Sequence, residues 1–163
     1  MARAVRGRRA SEYARVGHKR QPYDYVLLVC EGKKTEPNYL HGLRTTYRLS
    51  NANIRVLHTG ATDPMTLVLF AEEELRQEPY DRAYCVFDRD AHATYGAALR
   101  WVKESDLGKI GRLRVVPSIP CFEIWLLLHF VYSTSPFASA DAAITELKKS
   151  FPDYVKGHQR CFF

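Results

Sequence analysis

Three acidic residues follow apolar segments at two separate places in the sequence. Glu31 directly follows the apolar run 25–30, and Asp88 and Asp90 follow the run 82–87. Residues two apart in an extended segment point to the same side, so the carboxylates of Asp88 and Asp90 converge. Oxygen ligands without sulfur suit Mg²⁺ or Mn²⁺, which bind one or two carboxylates together with water and substrate phosphate. The pattern therefore predicts a metal site formed by Glu31, Asp88 and Asp90.

Each acid also has a structural interpretation. Aspartates often end strands in a turn, and Asp90 could cap the following helix. Glu31 taken alone could be a solubilising surface residue. Glu123 lies near the start of the very apolar segment 121–132, which is predicted to be a helix. The helix dipole favours a carboxylate in the first turn. The functional alternative makes Glu123 a fourth acid beside the metal.

Other polar residues near these acids could contact a substrate. His92 follows Asp90 closely and could meet a phosphate or a leaving group, although an exposed loop histidine is the alternative. Lys33 and Lys34 could contact substrate phosphate, or could simply be solvated. His129 lies six positions after Glu123, which is not the same helix face, so we expect a core or groove histidine and not a ligand.

The elements that must position these residues alternate along the chain. Asp63 is predicted to cap a helix with Pro64 at its first position, and Thr35 is predicted to cap an earlier one. We predict strands over 25–30, 53–58, 82–87 and 113–118, with helices over about 36–48, from Pro64 to about 77, over 95–105, and in the closing segments 121–132 and 139–151.

This alternation predicts an α/β fold with a parallel four-stranded sheet. The strands are continuous apolar runs, which is typical of a sheet covered by helices on both faces. Ligands in such folds bind outside the carboxyl ends of the strands. Because parallel strands point one way, we expect the acids after the first and third strands to share one edge of the sheet.

The charge of the chain is concentrated at its start. The chain has 163 residues, which favours one domain, and a formal net charge of +6. Residues 1–20 contain seven Lys/Arg and one Glu, whereas the remaining 143 residues carry 17 charges of each sign. Such an arm suits a polyanion, so Arg6, Arg8 and Arg9 are candidate nucleic-acid contacts. The alternatives for residues 1–20 are a solubilising tail or a transit peptide. Because this segment has no apolar run, it is not a secretory signal peptide.

Cysteine usage and apolar runs indicate the compartment. The four cysteines are far apart without a CxxC pair, which favours free thiols in a cytoplasmic protein and makes a zinc site improbable. The longest apolar run, 124–132, is far shorter than the ~20 residues that span a bilayer. We therefore expect a soluble protein with no membrane partner.

Three motifs in this order resemble a known family. A Glu-Gly after the first strand and an Asp-x-Asp after the third resemble the Toprim fold of topoisomerases, primases and OLD-family nucleases. The longer motifs "LLVCEGKKTEPNYLHGL", "AYCVFDRDAH" and "SIPCFEIWLLLHF" together resemble the RloB-like family, Toprim proteins found near restriction and phage-defence loci. The resemblance covers about residues 23–157, so we expect a basic arm over 1–22, a Toprim-like domain over 23–157 and a short or atypical tail over 158–163.

The resemblance implies metal-dependent phosphodiester chemistry. Glu31 would take the Toprim role of general acid/base or metal ligand, and Asp88 and Asp90 would hold Mg²⁺. Glu123 matches a family motif residue without an assigned role. An ABC-type ATPase is an implied partner, as is a nucleic acid, and a homo-oligomer is compatible with the sequence.

The leading hypothesis is a cytoplasmic, defence-linked nuclease that cleaves RNA, such as tRNA, or DNA. Water is the simplest nucleophile, although ten tyrosines leave a covalent tyrosine open. A second hypothesis assigns "DRDAH" to a DxD-type phosphatase, but that motif normally ends the first strand and not the third. A third is a non-catalytic module whose arm binds nucleic acid or a partner.

Overall fold

A computed structural model describes residues 23–49, 54–60, 63–89, 92–134 and 136–157. Three candidate nucleic-acid contacts of the arm, Arg6, Arg8 and Arg9, lie outside the described residues, as do Asp90 and the tail 158–163.

The predicted fold class is confirmed: the chain forms a parallel four-stranded sheet flanked by helices, as in Rossmann-like folds. The strands are β1 (Val26–Cys30), β2 (Ile54–His58), β3 (Arg82–Asp88) and β4 (Leu113–Ser118). All neighbours pair in parallel in the order β2-β1-β3-β4. The helices are α1 (Thr35–Thr46), α2 (Pro64–Gln77), α3 (Tyr95–Glu104), α4 (Asp106–Lys109), α5 (Glu123–Leu127) and α6 (Ala140–Ser150).

Helices cover both faces of the sheet. On one face, side chains of α2, α3 and α4 pack with alternate strand residues such as Leu27, Val29 and Phe87. On the other face, α1, α5 and α6 pack with Cys30 and Val86. The connection after β1 leads to α1 on one face, and the connection after β3 leads to α3 on the other, so the strand order switches direction between the neighbours β1 and β3. In α/β sheets this switch point is where ligands bind.

The predicted burial of the strand cysteines is confirmed. Cys30 of β1 and Cys85 of β3 are fully buried, and both are free thiols. They pack as small apolar residues within the two cores.

The two predicted helix caps have different outcomes. Asp63 caps α2 as expected, because its carboxylate accepts a hydrogen bond from the Thr66 N–H at 2.9 Å. The prediction for Thr35 is wrong. Lys34 occupies the cap position without a side-chain cap, and the hydroxyl of Thr35 instead accepts a hydrogen bond from the Gly157 N–H at 3.1 Å.

The fifth helix is much shorter than the predicted span 121–132. It includes only Glu123–Leu127, after which the His129 and Phe130 N–H groups donate to carbonyls three residues back. Bonds of this 3₁₀ type tighten the backbone at the end of the helix. Pro136 follows in the irregular segment. The apolar sequence predicted a longer helix because it is apolar all round, yet several of its side chains are exposed, including Tyr132 at 89%.

No helix among the described residues combines the length and the apolar character needed to cross a membrane.

Candidate active site at the carboxyl ends of the strands

Glu31 stands at the switch point between β1 and β3. Its backbone N–H continues the ladder by donating to the Val86 carbonyl at 3.0 Å. Its Oε2 accepts a hydrogen bond from the Asp88 N–H at 3.3 Å. The side chain is only 15% exposed. The carboxylate of one strand end is thus bonded to the backbone of the neighbouring strand end.

Asp88 is the last residue of β3 and lies at the same edge of the sheet. In the register of β3 with β4 it is opposite Ser118, whose carbonyl accepts a hydrogen bond from the Arg89 N–H at 2.8 Å. Bonds from both neighbouring strands therefore fix the backbone around Asp88. Asp90, the second acid of the motif, lies outside the described residues.

His92 contacts the first acid directly. Its Nε2 lies 3.2 Å from Oε1 of Glu31, and its side chain is 31% exposed. Asp63 is within electrostatic range of this histidine: its pKa is lowered by hydrogen bonds from Thr94 and from the N–H of Thr66, and to a smaller extent by His92.

Glu36 is a buried acid that the sequence analysis did not single out. It is 8% exposed, and its carboxylate occupies the space beside Gly32, where an added β-carbon would lie 1.9 Å from its Oε2. Burial raises its pKa above 4.5, and the carboxylates of Glu123 and Glu31 raise it further. Glu36 is therefore within electrostatic range of both Glu31 and Glu123. The sequence did contain a signal for this acid: Glu36 lies four residues after Gly32, in the first turn of the helix that follows the Glu-Gly pair.

Glu123 is the most deeply buried of these acids. It is 1% exposed at the start of α5, and its Oε1 accepts a hydrogen bond from the Tyr154 hydroxyl at 2.8 Å. Lys156 Nζ lies 3.7 Å from the same oxygen. The other oxygen, Oε2, is buried without a hydrogen-bond partner among the described residues. A helix-dipole preference alone does not account for a buried, tyrosine-bonded carboxylate.

The other polar candidates from the sequence are Lys33, Lys34 and His129. Lys33 and Lys34 are exposed, and the aliphatic stem of Lys34 lies beside Gly157. His129 is an exposed residue whose Nε2 is 2.9 Å from the Tyr39 hydroxyl. The histidine was expected in the core or a groove; the residue is exposed, but its ring lies against the buried Tyr39.

The donors at this edge have the chemistry of a hard-cation site. Glu31 and Asp88 offer carboxylate oxygens from adjacent strands, and Glu123 adds a buried oxygen without a partner in the described part of the chain. Within that part, no group of three or more His, Cys, Asp or Glu side chains forms a ready metal site. Mg²⁺ needs only one or two carboxylates when water and substrate phosphate complete its shell, so the residues fit this ion.

Comparison with known proteins agrees with the three motifs. No curated protein matches the chain. The family model described as "RloB-like protein" matches residues 26–162, which includes all four strands and the three motifs. The chain therefore belongs to the RloB-like family.

Proposed function

We propose that this protein is a Mg²⁺-dependent nuclease that hydrolyses nucleic-acid phosphodiesters at a Toprim-type site. The observation that carries the proposal is the bond between the Glu31 carboxylate and the Asp88 backbone at the switch point of the sheet. It joins the acids of two separate motifs at the edge where α/β folds bind ligands.

The chain's own acids would hold the metal. Glu31 and Asp88 would be ligands, together with Asp90, the second acid of the same motif. When bound, Mg²⁺ or Mn²⁺ supplies positive charge that stabilises the phosphoryl and leaving oxygens. Metal-ligating carboxylates are commonly held by hydrogen bonds from neighbouring groups, and the Asp88 N–H and His92 provide them for Glu31.

Glu31 is also the candidate for proton transfer. Its carboxylate is largely buried but lies at the open end of the strands, and its Oε1 is within reach of the His92 imidazole. In this role Glu31 would accept a proton from an attacking water or return one to the leaving oxygen. His92 would orient the carboxylate and offer a second group to the leaving oxygen.

Glu123 would add a further carboxylate to the site formed by Glu31 and Asp88. Its carboxylate is fixed by the Tyr154 hydroxyl, and burial among other acids makes its charge costly without a nearby cation. A metal at the strand ends, or a lysine, would offset that cost.

The substrate and partners belong to the same proposal. The arm with Arg6, Arg8 and Arg9 would supply charge for binding RNA, such as tRNA, or DNA, with Lys33 and Lys34 nearer the site. A cytoplasmic role in a phage-defence or restriction-linked system, with an ABC-type ATPase as partner or with a second copy of the chain, follows from the family's setting.

The test is cleavage of tRNA, single-stranded DNA and plasmid with Mg²⁺ and with EDTA. Glu31→Gln and Asp88→Asn preserve the shapes of the side chains while removing charge, so each should lower the rate by ~100-fold or more. Glu78→Gln is the matched control, because it removes an exposed carboxylate at the C-terminal end of α2, away from the strand ends. Equal rates for the wild type and all three variants would exclude this site as the source of cleavage.

A further inference from the structure

The segment that follows α6 brings the chain back to the acidic edge. Tyr154 is 2% exposed and donates its hydroxyl hydrogen to Oε1 of Glu123. Three residues later, the Gly157 N–H donates to the hydroxyl of Thr35 at the start of α1. The segment 151–157 is thereby attached to the third motif at one point and to the first motif at another.

Lys156 lies between these two attachment points. Its Nζ is 3.7 Å from Oε1 of Glu123, and its side chain is 64% exposed. An ammonium group has three donor hydrogens. That distance exceeds a hydrogen bond, and the Oε1 atom already accepts the tyrosine hydroxyl at 2.8 Å. The ammonium is thus near the acid cluster while remaining accessible to solvent and to a ligand.

The electrostatic surroundings favour the charged form of this lysine. Partial burial opposes the charge of Lys156, but the carboxylates of Glu123 and Asp88 outweigh it and raise the pKa. Glu36 acts in the same direction. The ammonium therefore lies within the field of acids from all three motifs.

Four carboxylates at one edge create a difficulty for a nuclease, because they repel the phosphodiester that must approach. An exposed cation at the margin of the cluster relieves this repulsion and can donate hydrogen bonds to phosphate oxygens. Lys34 adds a second cation nearby, since its stem packs beside Gly157.

We propose that Lys156 binds a phosphate of the nucleic-acid substrate beside the acidic edge, and that the segment 151–157 is the element that holds it there. This inference rests on the proposed function for the identity of the ligand. It predicts a direct substrate contact from a part of the chain outside the three motifs.

The test measures binding separately from cleavage. Full-length protein is titrated with fluorescent oligothymidylate and oligouridylate in EDTA across a range of salt concentrations. Lys156→Met should lower the affinity about fivefold and reduce the slope of log K against log salt by ~0.7, the value for one phosphate contact on a single strand. Lys156→Arg should retain the wild-type slope. Lys148→Met, which removes an exposed lysine from the last turn of α6, is the matched control and should change neither quantity.

The outcomes distinguish the two proposals. Unchanged affinity and slope in Lys156→Met, or an equal loss in Lys148→Met, would overturn the role of Lys156 even if the protein cleaves. A reduced slope of log K against log salt in Lys156→Met, together with the wild-type slope in Lys156→Arg, would support the role of Lys156 even if no cleavage is found. Thermal unfolding of each variant is followed by circular dichroism; a Lys156→Met protein that is folded yet binds normally counts against the proposal.

Discussion

The carboxylate of Glu36 lies against Gly32, in the space that a β-carbon at position 32 would need. This contact links the Glu-Gly pair that ends β1 to the first turn of α1. A side chain at position 32 would have to displace the end of the Glu36 side chain.

Gly32→Ala should displace the Glu36 carboxylate, which is the flexible end of its side chain, and should destabilise the protein by about 1 kcal/mol, the low end of the cost of overpacking. Urea unfolding measures the change. The control is Gly96→Ala in α3, where the added carbon would be 3.5 Å from the Arg100 guanidinium, an ordinary contact. Because alanine favours a helix, Gly96→Ala should stabilise by up to ~1 kcal/mol. A neutral Gly32→Ala would show that this packing is not tight.

Glu36 should make stability depend on pH. Burial, with the carboxylates of Glu123 and Glu31, raises its pKa, so the folded protein holds this proton more tightly than the unfolded chain. As the pH rises above 4.5, the unfolded state loses the proton first, and stability falls until the folded-state pKa is passed.

Glu36→Gln removes this dependence. The variant should gain stability relative to the wild type as the pH is raised from about 4 to about 8, measured by urea unfolding in EDTA. Glu73→Gln, at an exposed position of α2, is the control and should follow the wild type. A constant difference between Glu36→Gln and the wild type across this range would contradict the prediction.

Tyr154→Phe should destabilise the fold by about 1.5–3 kcal/mol, because it removes a hydrogen bond to a buried carboxylate and leaves Oε1 of Glu123 without the hydroxyl. Chemical denaturation measures the loss. Tyr132→Phe makes the same change at a side chain that is 89% exposed and should alter stability by no more than about 0.5 kcal/mol. Equal stabilities of the two variants would mean that the bond contributes nothing.

The described cysteines should resist alkylation in the folded protein. Burial raises the pKa of Cys85 to about 12. Burial and the neighbouring Glu123 raise the pKa of Cys121 to about 12. Burial also raises the pKa of Cys30. Since only thiolates react rapidly, iodoacetamide at about pH 8 should label these three positions only after unfolding, as read by peptide mass spectrometry. Rapid labelling of any of them in the native protein would contradict this.

The sequence predicted the elements whose signals are local. Continuous apolar runs located all four strands to within a residue, and the Asp63-Pro64 pair located the start of α2. The edge shared by Glu31 and Asp88 followed from the parallel sheet, because that geometry depends only on strand direction.

The parts that were missed depend on tertiary contacts. Thr35 was predicted as a helix cap, but its hydroxyl pairs with Gly157, 122 positions away, which no local pattern reveals. Tyr154 and Lys156 reach Glu123 only because the segment after α6 docks against α1 and α5. The length of α5 was overestimated because apolar character alone does not reveal where burial ends.

The most direct test of the central claim is a crystal structure of the protein soaked in Mn²⁺, recorded with anomalous data. We expect an anomalous peak at the ends of β1 and β3, with carboxylate oxygens of Glu31 and Asp88 at about 2.1 Å, and the loss of this peak in Glu31→Gln. A well-ordered edge without a peak, or a peak bound only by other residues, would contradict a metal site at this junction.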